Sequence, residues 1–248
     1  MNLYGLIGYP LGHSFSKEYF NRKFETEGLV DYFFESFPLE DIRFFPDFLK
    51  TNPALKGLAV TIPYKEAVIP YLNQLTPEAT EIGAVNCIEF LPGILKGHNT
   101  DVIGFRQSFE RLLQPHHTKA LILGTGGASK AAQYVLRQMN IPYLLVSRKP
   151  DDGMLMYEDV KGSLLREYPI LVNCSPVGMH PLEQASPNIS YQDLDDGNYL
   201  FDMIYKPAET VFLQQGKERG SVVKNGYEML LLQAEANWKI WNANRLNL

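Results

Sequence analysis

Three glycines, Gly124, Gly126 and Gly127, stand between a short apolar run and a helical pattern, a place where phosphate can bind. Glycine at a strand-to-helix turn lets the backbone approach a pyrophosphate, and the helix N-terminus adds unpaired N–H groups and a positive dipole end. The strict dinucleotide pattern has glycine or alanine at position 129, where this chain has serine. An ordinary tight loop has similar glycines, but the flanking strand and helix, and a second strand about twenty residues on, favour a dinucleotide site.

The strand after this turn ends in Ser147, Arg148 and Lys149. NAD enzymes usually have an acidic residue there that binds the ribose 2′-hydroxyl, whereas a cation attracts the additional phosphate of NADP. Two solvated cations on a surface loop would have the same sequence. With the glycine turn nearby, NADP is the better interpretation, and we expect NADP as the cofactor.

Further polar residues stand beside predicted strands or within one: Ser14, Ser16, Lys65, Asn86 and Asp101. Each has an ordinary structural explanation. Ser16 can cap a helix, Lys65 can be a surface lysine, and Asp101 can lie in the first turn of a helix. Taken one at a time, these explanations are the better ones, so no single residue identifies a substrate site.

These residues must be positioned by short apolar runs that alternate with helical patterns. The sequence predicts strands over residues 3–7, 32–37, 57–62, 85–90, 94–99, 120–123, 143–146, 170–173, 199–203 and 222–224. It predicts helices over residues 16–27, from 46, from 63, and over 100–113, 128–139, 207–218 and 227–242. Such alternation indicates parallel sheets with helices on their faces. We therefore expect one α/β unit up to about residue 100 and a nucleotide unit after it.

Composition limits the function less sharply. The 248 residues are 45% hydrophobic and 21% charged, enough for two modest α/β domains or one large one. A net charge of −5 argues against a nucleic-acid partner, because phosphate backbones select basic surfaces. Cys87 and Cys174 form no metal-binding pattern, so we expect no metal and thiols in a reducing cytosol. Without a basic leader or an apolar run of ~20 residues, a cytoplasmic protein without membrane contact is expected.

Taken together, the segments that carry these residues resemble the motifs of the shikimate dehydrogenase family. In the expected substrate part they are Gly8–Ser16, Gly57–Lys65, Gly83–Asn86, Gly97–Gly104 and Asn225–Leu230 with Gln233. In the nucleotide part they are Gly124–Ala128, Ser147–Lys149, Asn173–Met179 and Asp202–Pro207. The resemblance covers essentially the whole chain, and several motifs in the right order are far more specific than any one of them.

The resemblance implies an NADP-dependent oxidoreductase that interconverts 3-dehydroshikimate and shikimate. It implies two α/β domains with a cleft between them, a substrate-binding domain (residues 1–100 plus 225–248) and a Rossmann-like NADP-binding domain (101–224). Lys65 and Asp101 would be the catalytic pair. The substrate would be bound by Ser14, Ser16, Thr61, Asn86, Gln233 and Tyr205. The cofactor would be bound by Gly124, Gly126, Gly127, Ala128, Ser147, Arg148, Lys149 and Gly226.

The implied pair suits the chemistry. Oxidising a secondary alcohol requires a proton to leave oxygen as hydride leaves carbon, and a lysine beside a carboxylate can shuttle that proton. In the reverse direction the ammonium form polarises the carbonyl. Positioned acid–base groups contribute roughly 10²–10⁴-fold, while the hydride chemistry belongs to the cofactor.

Two positions depart from the family pattern. Ala59 replaces the usual asparagine before Val60 and Thr61, and Lys17 replaces the proline that usually follows Ser16. If that asparagine binds a substrate hydroxyl, its loss weakens substrate binding, since a missing buried partner costs about 1–3 kcal/mol. From the sequence we expect Ala59→Asn to lower the Michaelis constant for shikimate or to raise turnover.

Two alternatives remain open at the level of sequence. A quinate/shikimate dehydrogenase that accepts NAD shares the fold and the catalytic pair, although Arg148 and Lys149 argue against NAD. A non-catalytic sensor of a metabolite or dinucleotide shares the fold, although it has little need for both Lys65 and Asp101. A monomer and a homodimer are equally compatible with the sequence.

Overall fold

The computed structural model describes residues 1–12 and 15–243, and the chain divides into two compact units. The first unit contains Met1–Thr100 and the chain from Ala234 on, and the second contains Asp101–Gln233. The second boundary therefore lies inside the last helix, whereas the sequence analysis placed it at residue 225. This helix begins within the second unit because Gly104 packs directly against the backbone of Met229 and Gln233. The assignment of residues 225–233 to a substrate domain stays a prediction.

The first unit is built around a six-stranded sheet in the order β2-β1-β3-β5-β6-β4. Its strands are β1 (Asn2–Gly8), β2 (Tyr32–Pro38), β3 (Leu55–Val60), β4 (Gln74–Leu75), β5 (Cys87–Leu91) and β6 (Ile94–His98). Its helices are α1 (Phe15–Thr26), α2 (Phe45–Thr51), α3 (Tyr64–Ala67) and α4 (Pro77–Ile82). The expected strands are present, together with the short β4, for which the sequence has no clear apolar run.

This sheet is mixed, and the expectation of a wholly parallel sheet is wrong here. β5 runs antiparallel to both β3 and β6. The cause of the β5–β6 pairing is the two-residue connection Pro92–Gly93, in which Gly93 has φ +71°. A connection that short joins only antiparallel strands, since a parallel pair needs a crossover of a dozen or more residues.

The core of the first unit fills both faces of the sheet. One face packs against α2, α3 and α4 through aliphatic residues such as Leu58 and Val68. The other face carries an aromatic cluster of Tyr4, Phe20 and Trp241, which joins α1 and the end of the last helix to the sheet. A Cβ atom at Gly57 would overlap the Trp241 ring, so glycine is required for this helix to lie so close to β3.

The second unit has a wholly parallel five-stranded sheet in the order β11-β10-β9-β7-β8. Its strands are β7 (Ala120–Leu123), β8 (Tyr143–Val146), β9 (Ile170–Asn173), β10 (Tyr199–Asp202) and β11 (Val222–Lys224). Its helices are α5 (Asp101–Phe109), α6 (Gly127–Gln138), α7 (Ser163–Glu167), α8 (Val211–Glu218) and the start of α9 (Tyr227–Trp241). Helices cover both faces, as in doubly wound α/β domains, and the strand order reverses between β7 and β9.

Two predicted helix starts are wrong. Ser16 was expected to cap α1, but the helix already begins at Phe15, so the Ser16 side chain is the second of the helix. α8 begins at Val211 rather than at Pro207, because the Thr210 hydroxyl accepts the Leu213 N–H and sets the N-cap there. Within the described chain, no helix has the length and apolar character needed to span a membrane.

Candidate active site

Lys65 lies on the short helix α3, which directly follows β3. Thr61 donates its N–H to Ile7 O at 2.9 Å and accepts the Tyr64 N–H through its carbonyl at 2.9 Å. These bonds fix the turn from β3 into α3. The Lys65 carbonyl accepts the Val85 N–H at 2.7 Å, which holds the lysine beside the segment that carries Asn86. Both Thr61 and Lys65 are half-buried, so each can present a polar side chain to a ligand.

Asn86 is 3% exposed and belongs to a buried polar network. Its Oδ1 accepts the Thr100 N–H at 2.7 Å, so the carboxamide oxygen faces Thr100 and the amide nitrogen is directed the other way. The Thr100 hydroxyl lies 2.6 Å from Asn237 Oδ1 and 3.1 Å from Asn86 Oδ1, and its one proton is placed for the nearer acceptor. Asn99 donates to Ala84 O at 3.0 Å, while its buried Oδ1 has no hydrogen-bond partner in the part of the chain that the structure describes.

The two predicted serines of the first motif differ in what the structure says of them. Ser16 is half-buried near the start of α1. Ser14 lies outside the described residues. Lys17, where the family pattern has proline, is paired with Glu35 at 2.6 Å and so belongs to the surface of the first unit.

Asp101 and Gln233 both lie in the second unit, and the structure brings their helices together. Asp101 is the first residue of α5 and is 8% exposed. One turn later, a Cβ at Gly104 would lie 3.1 Å from Gln233 Cβ, so α5 and α9 pack with these residues adjacent. Lys65 and Asp101, the predicted pair, belong to different units.

Tyr205 and Gly226 lie in the loops that follow β10 and β11. Gly226 donates its N–H to Ile204 O at 3.0 Å, and a Cβ there would overlap the Met203 carbonyl. Glycine is therefore required at position 226 for backbone packing alone. Tyr205 is half-buried in the adjoining segment.

The glycine turn has the geometry expected of a phosphate-binding loop. Gly124 has φ +107°, and a Cβ there would lie 3.2 Å from Ser175 N, so only glycine adopts this conformation without strain. Gly126 is the extended N-cap of α6, and its Cα faces open space. Ser129 replaces the third glycine of the strict pattern at little cost, because its buried hydroxyl donates to Gly126 O at 2.7 Å.

A cavity of about 980 Å³ extends from this turn to the end of β8. Gly124, Gly126, Ser147, Arg148 and Lys149 all line it. Arg148 and Lys149 are exposed, and the Ser147 hydroxyl bonds both the N–H and the carbonyl of Lys149, which tightens that turn. A glycine cradle, a helix N-terminus and two cations facing one cavity fit a dinucleotide with an additional phosphate.

A further part of the cavity wall was not predicted from the sequence. It is formed by residues that include Tyr157 and Glu158, on a single 3-10 turn, and Asn188 on a loop. Burial raises the pKa of the Tyr157 phenol, while a hydrogen bond with Ser175 and the charge of Arg148 act in the opposite direction. These segments have no periodic pattern, so no sequence signal could have assigned them to the cofactor side.

A second buried polar network lies behind the glycine turn. Asp202, which is 0% exposed, accepts from Thr210 Oγ1 at 2.6 Å, from Asn173 Nδ2 at 3.0 Å and from Ile204 N at 3.0 Å. Burial raises the pKa of the Asp202 carboxyl to about 6, and the three donors act against that rise. Asn173 Oδ1 accepts the Ser175 N–H at 3.0 Å, so the network holds the segment that contacts Gly124.

Comparison with known proteins decides the family. Residues 6–88 match the model of the shikimate dehydrogenase substrate binding domain. A shikimate dehydrogenase (NADP(+)) of Halothermothrix orenii is 36% identical over 264 residues, covering 96% of this chain and 89% of the relative. The chain belongs to the shikimate dehydrogenase family. The resemblance drawn from its motifs is confirmed, as is the two-domain α/β fold class.

Solved structures of shikimate dehydrogenases agree with the fold. The Thermus thermophilus protein, described in complex with NADP(H) and shikimate, is 30% identical with a TM-score of 0.86, covering 98% of this chain and 94% of that one. The Listeria monocytogenes protein, described in complex with shikimate and NAD, is 28% identical with a TM-score of 0.85, covering 98% and 92%. The roles of individual site residues in this chain stay predictions.

Proposed function

We propose that this chain catalyses the reversible NADPH-linked reduction of 3-dehydroshikimate to shikimate. The observation that carries the proposal is the Val85–Lys65 backbone hydrogen bond, which holds the half-buried Lys65 beside the backbone segment that contains the buried Asn86. Membership of the shikimate dehydrogenase family and the cation-lined cavity in the second unit support it. The expected cytoplasmic location and the monomeric or homodimeric state remain predictions.

In this proposal, each predicted residue has a stated task. When bound, NADP accepts the hydride that leaves the substrate carbon. Lys65 Nζ takes the proton from the substrate hydroxyl oxygen, and in the reverse direction its ammonium form returns that proton to the carbonyl oxygen. The Asp101 carboxylate balances the charge that the lysine acquires.

The remaining polar residues bind and orient the ligands. Asn86, Thr61, Ser16, Gln233 and Tyr205 are assigned to the substrate, together with Ser14. Arg148 and Lys149 attract the additional phosphate of NADP, and the N-terminus of α6 attracts the pyrophosphate. Gly226 is also assigned to the cofactor, although backbone packing alone already requires glycine at this position.

The test follows the absorbance of the reduced nicotinamide with shikimate and NADP, and then with NAD and with quinate. We expect turnover with shikimate and NADP, and a loss of roughly 10²–10⁴-fold in kcat for Lys65→Met. Lys56→Met, which removes an exposed lysine of β3, is the matched control and should keep the original kcat.

Each other outcome selects an alternative. Efficient turnover of quinate with NAD would indicate the broader quinate/shikimate dehydrogenase. Tight NADP binding without turnover on any pair would indicate a sensor. Equal activity of Lys65→Met and the unaltered chain would refute the assigned proton carrier.

A further inference from the structure

Ala59 occupies a position where the family motif has asparagine, and its surroundings are apolar. It is 5% exposed and packs in the aromatic cluster of the first unit, together with Ala234 and Trp241 of α9. A buried asparagine needs hydrogen-bond partners. This chain thus has no carboxamide at this point of β3, where α9 covers the strand.

The contact of Gly57 with Trp241 allows the positions of Ala59 and Asn237 to be compared along β3 and α9. Gly57 and Ala59 are two residues apart on β3 and face the same side, about 7 Å apart. Gly57 lies under the Trp241 ring, with no room for a Cβ atom. Asn237 lies one helical turn before Trp241, about 6 Å back along α9.

The strand register gives the level of Ala59 along the sheet independently. Ala59 pairs with Cys87, and Cys87 pairs with His98. Thr100 follows His98 by two residues, just beyond Ala59 in the direction in which β3 runs. Because the Thr100 hydroxyl is 2.6 Å from Asn237 Oδ1, Ala59 lies between the levels of Trp241 and Asn237 on the helix face.

Asn237 is 1% exposed, and its carboxamide accepts from Thr100, whose N–H in turn fixes the Asn86 oxygen. We propose that Asn237 supplies from α9 the buried carboxamide that the family motif supplies from position 59. Through Thr100 it holds the Asn86 carboxamide in the orientation that binds a substrate hydroxyl. Asn237 is thus a positioning residue for substrate, and this role rests on the function proposed above.

This inference reverses one expectation from the sequence. If position 59 merely lacked a substrate contact, Ala59→Asn would lower the Michaelis constant for shikimate. If the carboxamide has been exchanged between β3 and α9, the added group has no space while Asn237 is present. Ala59→Asn alone should then bring no gain, and it should lower the stability of the chain.

The first measurement compares Asn237→Ala with the unaltered chain. We expect the Michaelis constant for shikimate to rise about five- to tenfold, because Thr100 loses its nearer acceptor and a space opens beside it. The value of kcat and the Michaelis constant for NADP should change less than about twofold, since a ground-state contact acts on substrate binding. Asn242→Ala, which changes the residue directly after α9 that bonds Tyr4 and Trp238, is the matched control and should leave all three constants unchanged.

The second measurement adds Ala59→Asn to Asn237→Ala. We expect the double variant to recover the Michaelis constant for shikimate to within about threefold of the original. If the double variant has a Michaelis constant for shikimate no lower than that of Asn237→Ala, the proposal that Asn237 replaces the carboxamide of position 59 is wrong. An unchanged Michaelis constant in Asn237→Ala, with lower stability only, would overturn the positioning role.

The exchange can also be tested without turnover. In urea unfolding, Ala59→Asn should lower the midpoint of the unaltered chain but not that of Asn237→Ala, whereas independent positions would give the same change in both. If Ala59→Asn changes the midpoint equally in both chains, the proposal that Asn237 replaces the carboxamide of position 59 is wrong. Absence of shikimate oxidation by the unaltered chain would refute the proposed function, and this coupling would still decide whether the two positions exchange a carboxamide.

Discussion

Each unit contains a buried polar network next to its candidate ligand residues, and the two networks differ in charge. In the first unit, Asn86, Thr100 and Asn237 are linked by neutral hydrogen bonds. In the second unit, Asn173 and Thr210 donate to the Asp202 carboxylate. Both hold a segment that stands close to a predicted ligand residue, yet only one of them contains an ionisable group.

The difference bears on how freely each network can change. A neutral network that loses one member leaves a hydroxyl or an amide to be satisfied, which another carboxamide from a neighbouring element can do. A buried carboxylate that loses a donor is left with an uncompensated charge, which is far more costly. We therefore expect the network of the first unit to accept rearrangement, as inferred for positions 59 and 237, and that of the second unit to resist it.

The largest expected effect compares two threonines. At neutral pH, Thr210→Val should lower the free energy of unfolding by about 3 kcal/mol, because a buried charged group loses a donor and α8 loses its N-cap. Thr100→Val should lower it by about 1 kcal/mol, the usual value of a neutral hydrogen bond. Urea unfolding of both variants measures this, with each Thr→Ser replacement as the control that keeps the hydroxyl. Equal losses of the free energy of unfolding would show that the network around the Asp202 carboxylate is no more sensitive than the neutral one.

The next effect is a dependence on pH. The pKa of Asp202 rises from an ordinary value of 3.8 to about 6 on folding. The folded state therefore favours the protonated carboxyl, and the stability this contributes is complete below pH 3.8 and is lost as pH rises through about 6. The contribution is bounded at about 3 kcal/mol.

Replacing Asp202 by Asn should remove this dependence. The free energy of unfolding of the unaltered chain, minus that of Asp202→Asn, should fall between about pH 4 and about pH 7 when measured by urea unfolding at several pH values. Asn237→Ala, which touches only the neutral network, should show a constant difference from the unaltered chain. A constant difference for Asp202→Asn as well would mean that folding does not raise the pKa of this carboxyl.

The smallest expected effect is on the Michaelis constants for the two ligands. Thr100→Val should raise the Michaelis constant for shikimate about three- to fivefold and leave that for NADP unchanged, because it disturbs only the neighbour of Asn86. Thr210→Val should raise the Michaelis constant for NADP by a similar factor and leave that for shikimate unchanged, because it acts through Asn173 and Ser175. Steady-state kinetics with each substrate varied in turn would measure both. If either variant altered both constants, the networks would not be specific to one ligand.

The sequence predicted the glycine turn between β7 and α6 well because residue type dictates backbone geometry there. Only glycine suits the conformation of Gly124, and a glycine between a strand and a helix is visible in sequence. Most strands were predicted within two residues for a similar reason, since buried parallel strands form continuous apolar runs. Ser16 was misplaced because a serine near a helix start indicates a cap without fixing which residue is the first of the helix.

The side-chain networks were invisible to the same analysis. Asn237 stands 137 residues from its partner Thr100, and an asparagine within a helix has no sequence feature that marks it as buried. The wall formed by Tyr157 and Asn188 comes from segments without periodicity. Ala59 could be recognised as a departure, but the residue inferred to compensate for it emerged only from the packing of α9 on β3.

The aromatic cluster of the first unit has an optical consequence. The chain has two tryptophans, Trp238 and Trp241, and both lie on the part of α9 that belongs to this unit. Trp238 lies 5.4 Å from the Tyr4 ring, and the Trp241 indole donates its N–H to Ile88 O at 3.0 Å. Tryptophan emission therefore follows the environment of the first unit, while circular dichroism follows the helices of both. A single unlabelled sample can thus distinguish whether the two units lose their structure together or one after the other.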